Sequence, residues 1–351
     1  MRSALGLMLA SVVAAIVIAG VWFWTSSPRA DAAPPQTTAA AKAEPLPAAA
    51  AKQAAKDDVE TTAALSKRAD ASQPAAPAAA PAAAPAPVAA APRCANPDAL
   101  GITRTVVVDT TGGPGFGFLQ YKQYDFLTDH EVVLTFDDGP WPTTPAVLKA
   151  LADECTKAVF FPIGLHTTYH PDILRQVAAA GHTIGAHTWS HAHLASKKLT
   201  EQQAKDEIEK GFSAVKLALG SNPAPFFRFP ALAHTPATTA YLGTRNIAMF
   251  SVDVDSNDFK SKSSDEVINN VMTKLDKEHK GIILMHDLQK HTAQALPTLL
   301  RKLKAGGYKV VWMKAKTQIE TLPEYDAMMA KTEKPIATGR PIGNVVQTVA
   351  E

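Results

Sequence analysis

Aromatic residues are missing from a long stretch of this chain: between Thr25 and Gly115 there is no Phe, Trp or Tyr. Within it, residues 26–92 number 67, of which 29 are Ala and 11 are Pro. A segment with no ring to bury cannot offset the entropy of ordering its backbone. It reads as a disordered, Pro-stiffened linker over residues 26–92 and not as part of a core. Cysteine is scarce as well, with only Cys94 and Cys155 present. That excludes a cysteine-based metal site and leaves one disulfide in an oxidising compartment, the favoured reading, or two buried thiols. Charge of one sign is also lacking. With the linker and Arg2 set aside, 28 basic residues face 27 acidic ones, so the clustered basic footprint of a nucleic-acid binder is absent.

Long apolar runs are few, and one stands at the start. Arg2 precedes an uncharged run over residues 4–24, 21 residues long, and at ~1.5 Å per residue a helix of that length spans a ~30 Å hydrocarbon layer. Trp22 and Trp24 fall where an interfacial aromatic belt would lie. Residues 1–25 are therefore expected to be a signal anchor. A signal peptide cleaved near Ala30-Asp31-Ala32 is the alternative. The anchor reading makes the membrane a partner through the N-terminal segment, and either reading puts the rest outside the cytoplasm, in the periplasm or at the cell surface.

The core must lie after residue 92. Runs rich in Val, Ile and Phe occur at 131–136, 157–162, 182–186, 225–229, 246–251, 281–285 and 308–312. Helical patterns fall between them at 144–154, 171–180, 200–219, 236–244, 264–278 and 292–305. Thr200 with Gln203 three residues on has capping-box spacing, and Gly181, Gly220 and Gly306 sit where C-terminal caps belong. Such alternation predicts an α/β domain, a parallel sheet or barrel over residues 93–323, with 324–351 a loosely ordered tail. In these folds chemistry gathers at the carboxyl ends of strands. There the sequence places Asp137, Asp138, His187, His191, Arg228, Asp255, Asp258, His286 and Asp287. His187 and His191, four apart, could grip one cation from a single helical turn, with a carboxylate completing a catalytic zinc set. Taken alone, each pair also fits an ordinary surface turn.

The motifs together are more specific. Thr135-Phe136-Asp137-Asp138-Gly139-Pro140, His187-Thr188-Trp189-Ser190-His191, Arg228-Phe229-Pro230, Asp255-Ser256-Asn257-Asp258-Phe259 and Leu284-Met285-His286-Asp287 occur in that order. The set resembles the polysaccharide deacetylase family (carbohydrate esterase family 4), which includes chitin, chitooligosaccharide and peptidoglycan deacetylases. The resemblance covers residues 130–315 and implies a distorted (β/α) barrel of about seven strands holding one divalent metal, zinc being usual. It implies Asp138, His187 and His191 as ligands, Asp137 as general base held by Arg228, and His286 as general acid partnered by Asp258. The logic is sound: the metal acidifies a bound water and polarises the acetyl carbonyl, the base takes the water's proton, and the acid protonates the departing amine.

Two departures bear on the substrate. Ala231 stands where the family often has Tyr, keeping a backbone N–H for the oxyanion but losing a ring. Phe259 replaces a usual Trp and keeps an apolar wall. His166, His170, His182, His193 and His234 are read as structural or solvent-facing, with lining of a sugar groove as the alternative for His234, and Trp189 is a candidate to line that groove. The expected activity is removal of N-acetyl groups from an acetylated envelope or chitin-like glycan. An O-acetyl esterase acting on xylan or acetylated peptidoglycan is the alternative. An inactive membrane-tethered glycan-binding module would have lost a ligand, base or acid, and none is lost.

Overall fold

A computed structural model describes Cys94 and residues 96–332. The expected anchor and linker, and residues 333–351, lie outside the described residues. No described helix is long and apolar enough to cross a membrane.

The sheet is built around β3 (Glu131–Asp137), all of it buried. Along one edge β3 pairs in parallel with β9 (Gly281–His286), which in turn pairs with β8 (Val254–Asp255). Its other edge is shared: β10 (Lys309–Ala315) bonds its first residues and β4 (Val159–Phe161) its last. Beyond these lie β1 (Arg104–Val108) on β10 and β5 (Thr183–Ile184) on β4. A second parallel sheet holds β2 (Gly115–Phe116), β7 (Ala248–Phe250) and β6 (Phe226–Phe227). The bridge Ala186↔Phe227 joins the two sheets and curls them toward a barrel. The helices are α1 (Thr144–Asp153), α2 (Gly164–Tyr169), α3 (Pro171–Ala179), α4 (Glu201–Leu219), α5 (Pro236–Thr244), α6 (Ser264–Glu278), α7 (Lys290–Ala305) and α8 (Pro323–Thr332).

The two-residue period of a strand decides what enters the barrel. Val132, Leu134 and Phe136 pack outward in one core with Leu151, Val271 and Leu300 of the helices. Val133 faces inward with Phe161, Phe226, Phe250 and Ile282. Thr135 and Asp137 share that inner face, so the last of them emerges at the barrel mouth. On β9 the same alternation sends Ile282, Leu284 and His286 inward. The parallel register then sets Asp137 directly beside His286.

All seven expected strands and six expected helices are present, and Thr200 caps α4 in a capping box with Gln203. Helix α6 starts at Ser264 as expected, and the Ser263 side chain caps it. Strands β1, β2 and β8 and helices α2 and α8 were not expected. Helix α8 corrects the boundary at 323: Met329 is buried and Lys216 of α4 pairs with Asp326 at 2.7 Å, so residues 324–332 are folded onto the domain and are not a loose tail. Cys94 and Cys155 are joined by a disulfide, which ties the entry of the domain to the end of α1.

Candidate active site

Two turns and one loop build the site. Past β3 the chain turns sharply, with Asp138 in the left-handed region (φ 74°). Asp287, wholly buried, clamps the turn: its carboxylate accepts the Gly139 N–H at 2.9 Å and the Thr144 hydroxyl at 2.6 Å. Gly139 has no alternative here, because a Cβ would lie 2.0 Å from that carboxylate. His166 Nδ1 meets the Asp138 carbonyl at 2.6 Å and fixes the turn from the other side.

The histidine pair corrects the expected helical turn. Residues 187–191 form a loop in which Thr188 (φ 64°) and His191 (φ 60°) adopt left-handed conformations. Glu207 of α4 holds it, its carbonyl accepting from Trp189 N and its carboxylate from Ser190 N, both at 2.8 Å. His187 Nδ1 is committed to the Arg228 carbonyl at 2.7 Å, which leaves Nε2 for the cavity. His187 and His191 Nε2 then stand 3.5 and 3.4 Å from the same Asp138 Oδ1.

That spacing fits a cation. Ligand atoms bound at ~2.0–2.2 Å in a tetrahedron lie about 3.3–3.5 Å apart. Asp138 Oδ1 is buried yet makes no hydrogen bond, and a buried orphan oxygen demands a partner. Among the described residues, Asp138, His187 and His191 are the group whose geometry could hold a metal ion. Burial pushes the His187 pKa down against the pull of Asp137 and Asp138, favouring the neutral imidazole a ligand must be.

Beside this trio stand two charge pairs. Arg228, fully buried, lies over the Phe161 ring at 4.5 Å. Its Nη1 donates to Asp137 Oδ1 at 2.7 Å and to Thr135 at 2.8 Å, and Nη2 donates to the Ser251 carbonyl at 3.2 Å. Asp258 receives the His286 backbone N–H at 2.7 Å and Nδ1 at 2.6 Å, with Thr292 Oγ1 at 2.5 Å. Burial opposes the imidazolium of His286, but the Asp258 carboxylate outweighs it and the pKa is pushed up to about 9. The free Nε2 of His286 faces Asp138 Oδ2 at 3.9 Å.

Asp137, Asp138, His187, His191, Asp255 and His286 line one cavity of about 380 Å³, whose walls include Ala231, Leu232 and Phe259. Arg228, Asp258 and Asp287 lie buried behind it. Ala231 is left-handed (φ 52°), and the neighbouring Leu232 and Ala233 N–H groups are used within their own turn, on Phe229 and Pro230. Trp189 corrects an expectation: its indole packs against Gly164 of α2 and does not line the cavity. His234, stacked on Tyr121 at 5.7 Å, does not line it either. The structural reading of His166 agrees with its bond to the Asp138 carbonyl. Sequence reasoning misses Thr292 and Glu207 as supports, because neither belongs to a motif and only tertiary contact reveals them.

The profile of the polysaccharide deacetylase family matches residues 127–248. The peptidoglycan-N-acetylglucosamine deacetylase of Listeria monocytogenes is 33% identical over 185 residues, 52% of this chain but 38% of its own length. This chain thus spans well under half of that relative. A chitooligosaccharide deacetylase of Azorhizobium caulinodans is 33% identical over 162 residues, 44% of this chain and 73% of its own. The solved structure of a Bdellovibrio bacteriovorus peptidoglycan deacetylase superposes with a TM-score of 0.55 at 33% identity, covering 61% of this chain and 59% of that one. A parallel α/β barrel with five motifs at its mouth, matched over most of one relative's length, leaves one assignment: the chain belongs to the polysaccharide deacetylase family.

Proposed function

We propose that this chain is a metal-dependent hydrolase that removes N-acetyl groups from an envelope or chitin-like polysaccharide, acting outside the cytoplasm. One observation carries the reading: a buried, unpartnered carboxylate oxygen of Asp138 at 3.4–3.5 Å from two imidazole nitrogens, in the cavity that also holds Asp137 and His286. The deacetylase relatives and the disulfide support the chemistry and the compartment. The expected anchor over residues 1–25 would keep the domain at the membrane.

Asp138, His187 and His191 are the ligands of a divalent cation, zinc by the mixed N/O donor set. Such an ion lowers the pKa of a bound water and polarises a carbonyl. Asp137, oriented by Arg228, takes the proton of the attacking water. The new C–O bond turns the acetyl carbonyl oxygen into an oxyanion, which the Ala231 N–H can meet. The C–N bond then breaks. His286, its imidazolium stabilised by Asp258, gives its Nε2 proton to the leaving amine, and acetate and a free amino sugar result. Phe259 supplies an apolar wall for the sugar.

Acetate release, with mass spectrometry of the glycan, should be measured on chitooligosaccharides, peptidoglycan and acetylated xylan in parallel. Release from the first two supports N-deacetylation. Release from xylan alone would make the activity that of an O-acetyl esterase, and release from none would refute it.

A further inference from the structure

A cluster of four rings, two of them exposed, is built onto the turn that carries Asp138, and no step above uses it. Trp141 follows Pro140 directly and is 36% exposed, while Tyr169 closes α2 at 51% exposed. Between them lie two histidines. The Trp141 ring is 5.0 Å from His166 and 5.1 Å from His170, and Tyr169 is 6.4 Å from His166. His166 connects the cluster to the chemistry, because its Nδ1 holds the carbonyl of Asp138. The rings are therefore built onto the same turn as a proposed metal ligand. On the His286 side of the cavity, Phe259 is 50% exposed and stands edge-on to His286 at 5.8 Å.

Large rings gathered at a rim mark a surface that something flat and apolar covers. Trp141 and Tyr169, the two exposed rings, are uncharged, which suits a neutral occupant. A pyranose presents one face of weakly positive C–H groups, and an aromatic face is weakly negative, so the two stack. The shared turn names the occupant, because His166 binds the carbonyl of Asp138, whose side chain lines the cavity. A polysaccharide reaching Asp137 with one sugar extends past this turn with the next.

We propose that Trp141 and Tyr169 form a sugar platform, which holds a neighbouring pyranose of the same glycan chain and gives the protein a preference for long chains. The proposal rests on the reading of the cavity as a deacetylase site, so its test is made by binding and not by turnover. Full-length, zinc-loaded Asp137→Asn protein is titrated calorimetrically with N-acetylglucosamine oligomers of two to six sugars. Affinity should rise with length. Adding Trp141→Ala should cut the gain from dimer to hexamer about three- to tenfold, the range for one lost aromatic contact, and Tyr169→Ala should cut it less. Tyr124→Ala removes another exposed ring, beside Lys280 and Gly281 at the opposite end of β9, and should leave the gain as it was.

An undiminished gain in the Trp141→Ala protein overturns the platform. So does an equal loss at every length together with loss of zinc, which would make Trp141 a prop for His166 and Asp138. Absence of length-dependent binding by the parent overturns it too. Acetate release by the unmodified protein is followed on the same oligomers. No release despite length-dependent binding would refute the proposed activity and leave the platform standing.

Discussion

Asp137 on the floor of the cavity, and Arg228 and Asp258 behind it, are shut away from solvent, and hydrogen bonds tie Arg228 to β3 and to the end of β7. On the rim, His191, Phe259 and Trp141 stand partly in water. Groups that must act on a developing charge gain from being fixed before substrate arrives, since no reorganisation is then needed at the moment of reaction. Groups that meet a variable polymer gain from freedom. The floor should thus carry rate and stability together, while the rim should carry affinity, for the metal at His191 and for the glycan at Phe259 and Trp141.

The strongest way to break that comparison is Asp137→Asn. The amide oxygen can still accept from Arg228, so the protein should stay folded and hold its zinc. It cannot take a proton from water, and turnover should fall by ~10²–10⁴. A rate within threefold of the parent, at full metal content, would remove Asp137 from the chemistry. Next comes Arg228→Met. Stripping the partner from a buried carboxylate costs about 3–5 kcal/mol, to be read as a drop in urea midpoint. His191→Ala, measured without metal, should change stability by no more than ~0.5 kcal/mol yet lower zinc occupancy. Equal destabilisation by the two would erase the distinction between floor and rim.

A smaller effect separates acid from base. His286→Ala should slow amide cleavage by ~10², the low end for lost proton transfer. The defect should shrink on an activated ester whose leaving group needs no proton. Equal impairment on both substrates, in folded and metal-loaded protein, would assign the acid elsewhere. The smallest effect lies outside the site, at His182, whose Nδ1 accepts the Ala158 N–H at 3.2 Å. Burial, with Lys157 nearby, pushes its pKa down to about 3. The unfolded chain takes up that proton near pH ~6.5, the folded protein only near 3. This contribution to stability is complete above pH ~6.5 and is lost as pH falls toward 3. His182→Asn, which can still accept the N–H, should lose less stability than the parent between pH 7.5 and 4.5. Identical urea-midpoint shifts would mean that His182 does not titrate with unfolding.

Much of this was legible in the residues because strand alternation is strict. Once 131–136 is read as a buried strand, Thr135 and Asp137 must face together, and the register with β9 makes His286 their neighbour. The histidine pair was legible in composition but not in shape, since two left-handed residues replace the helical turn. Trp189 went astray for the same reason: a loop held by Glu207 turns its indole toward Gly164. Strands β2 and β8 have two residues each and lie in no apolar run, unlike the equally short β5 and β6. Helix α8 was hidden by the weak apolar content of its sequence. Its anchor is an ion pair with α4, 110 residues away.

The fit of Gly139 against Asp287 has a consequence for how such a protein can change over generations. Positions 148 residues apart share a space that admits one carboxylate and no additional carbon. A mutation adding a methyl group at Gly139 expels the clamp, and shortening Asp287 alone frees the turn that aims Asp138. Each single step is harmful, and only a paired replacement could preserve the shape. Among descendants of this chain the two sites should therefore be inherited as one character, kept together or lost together.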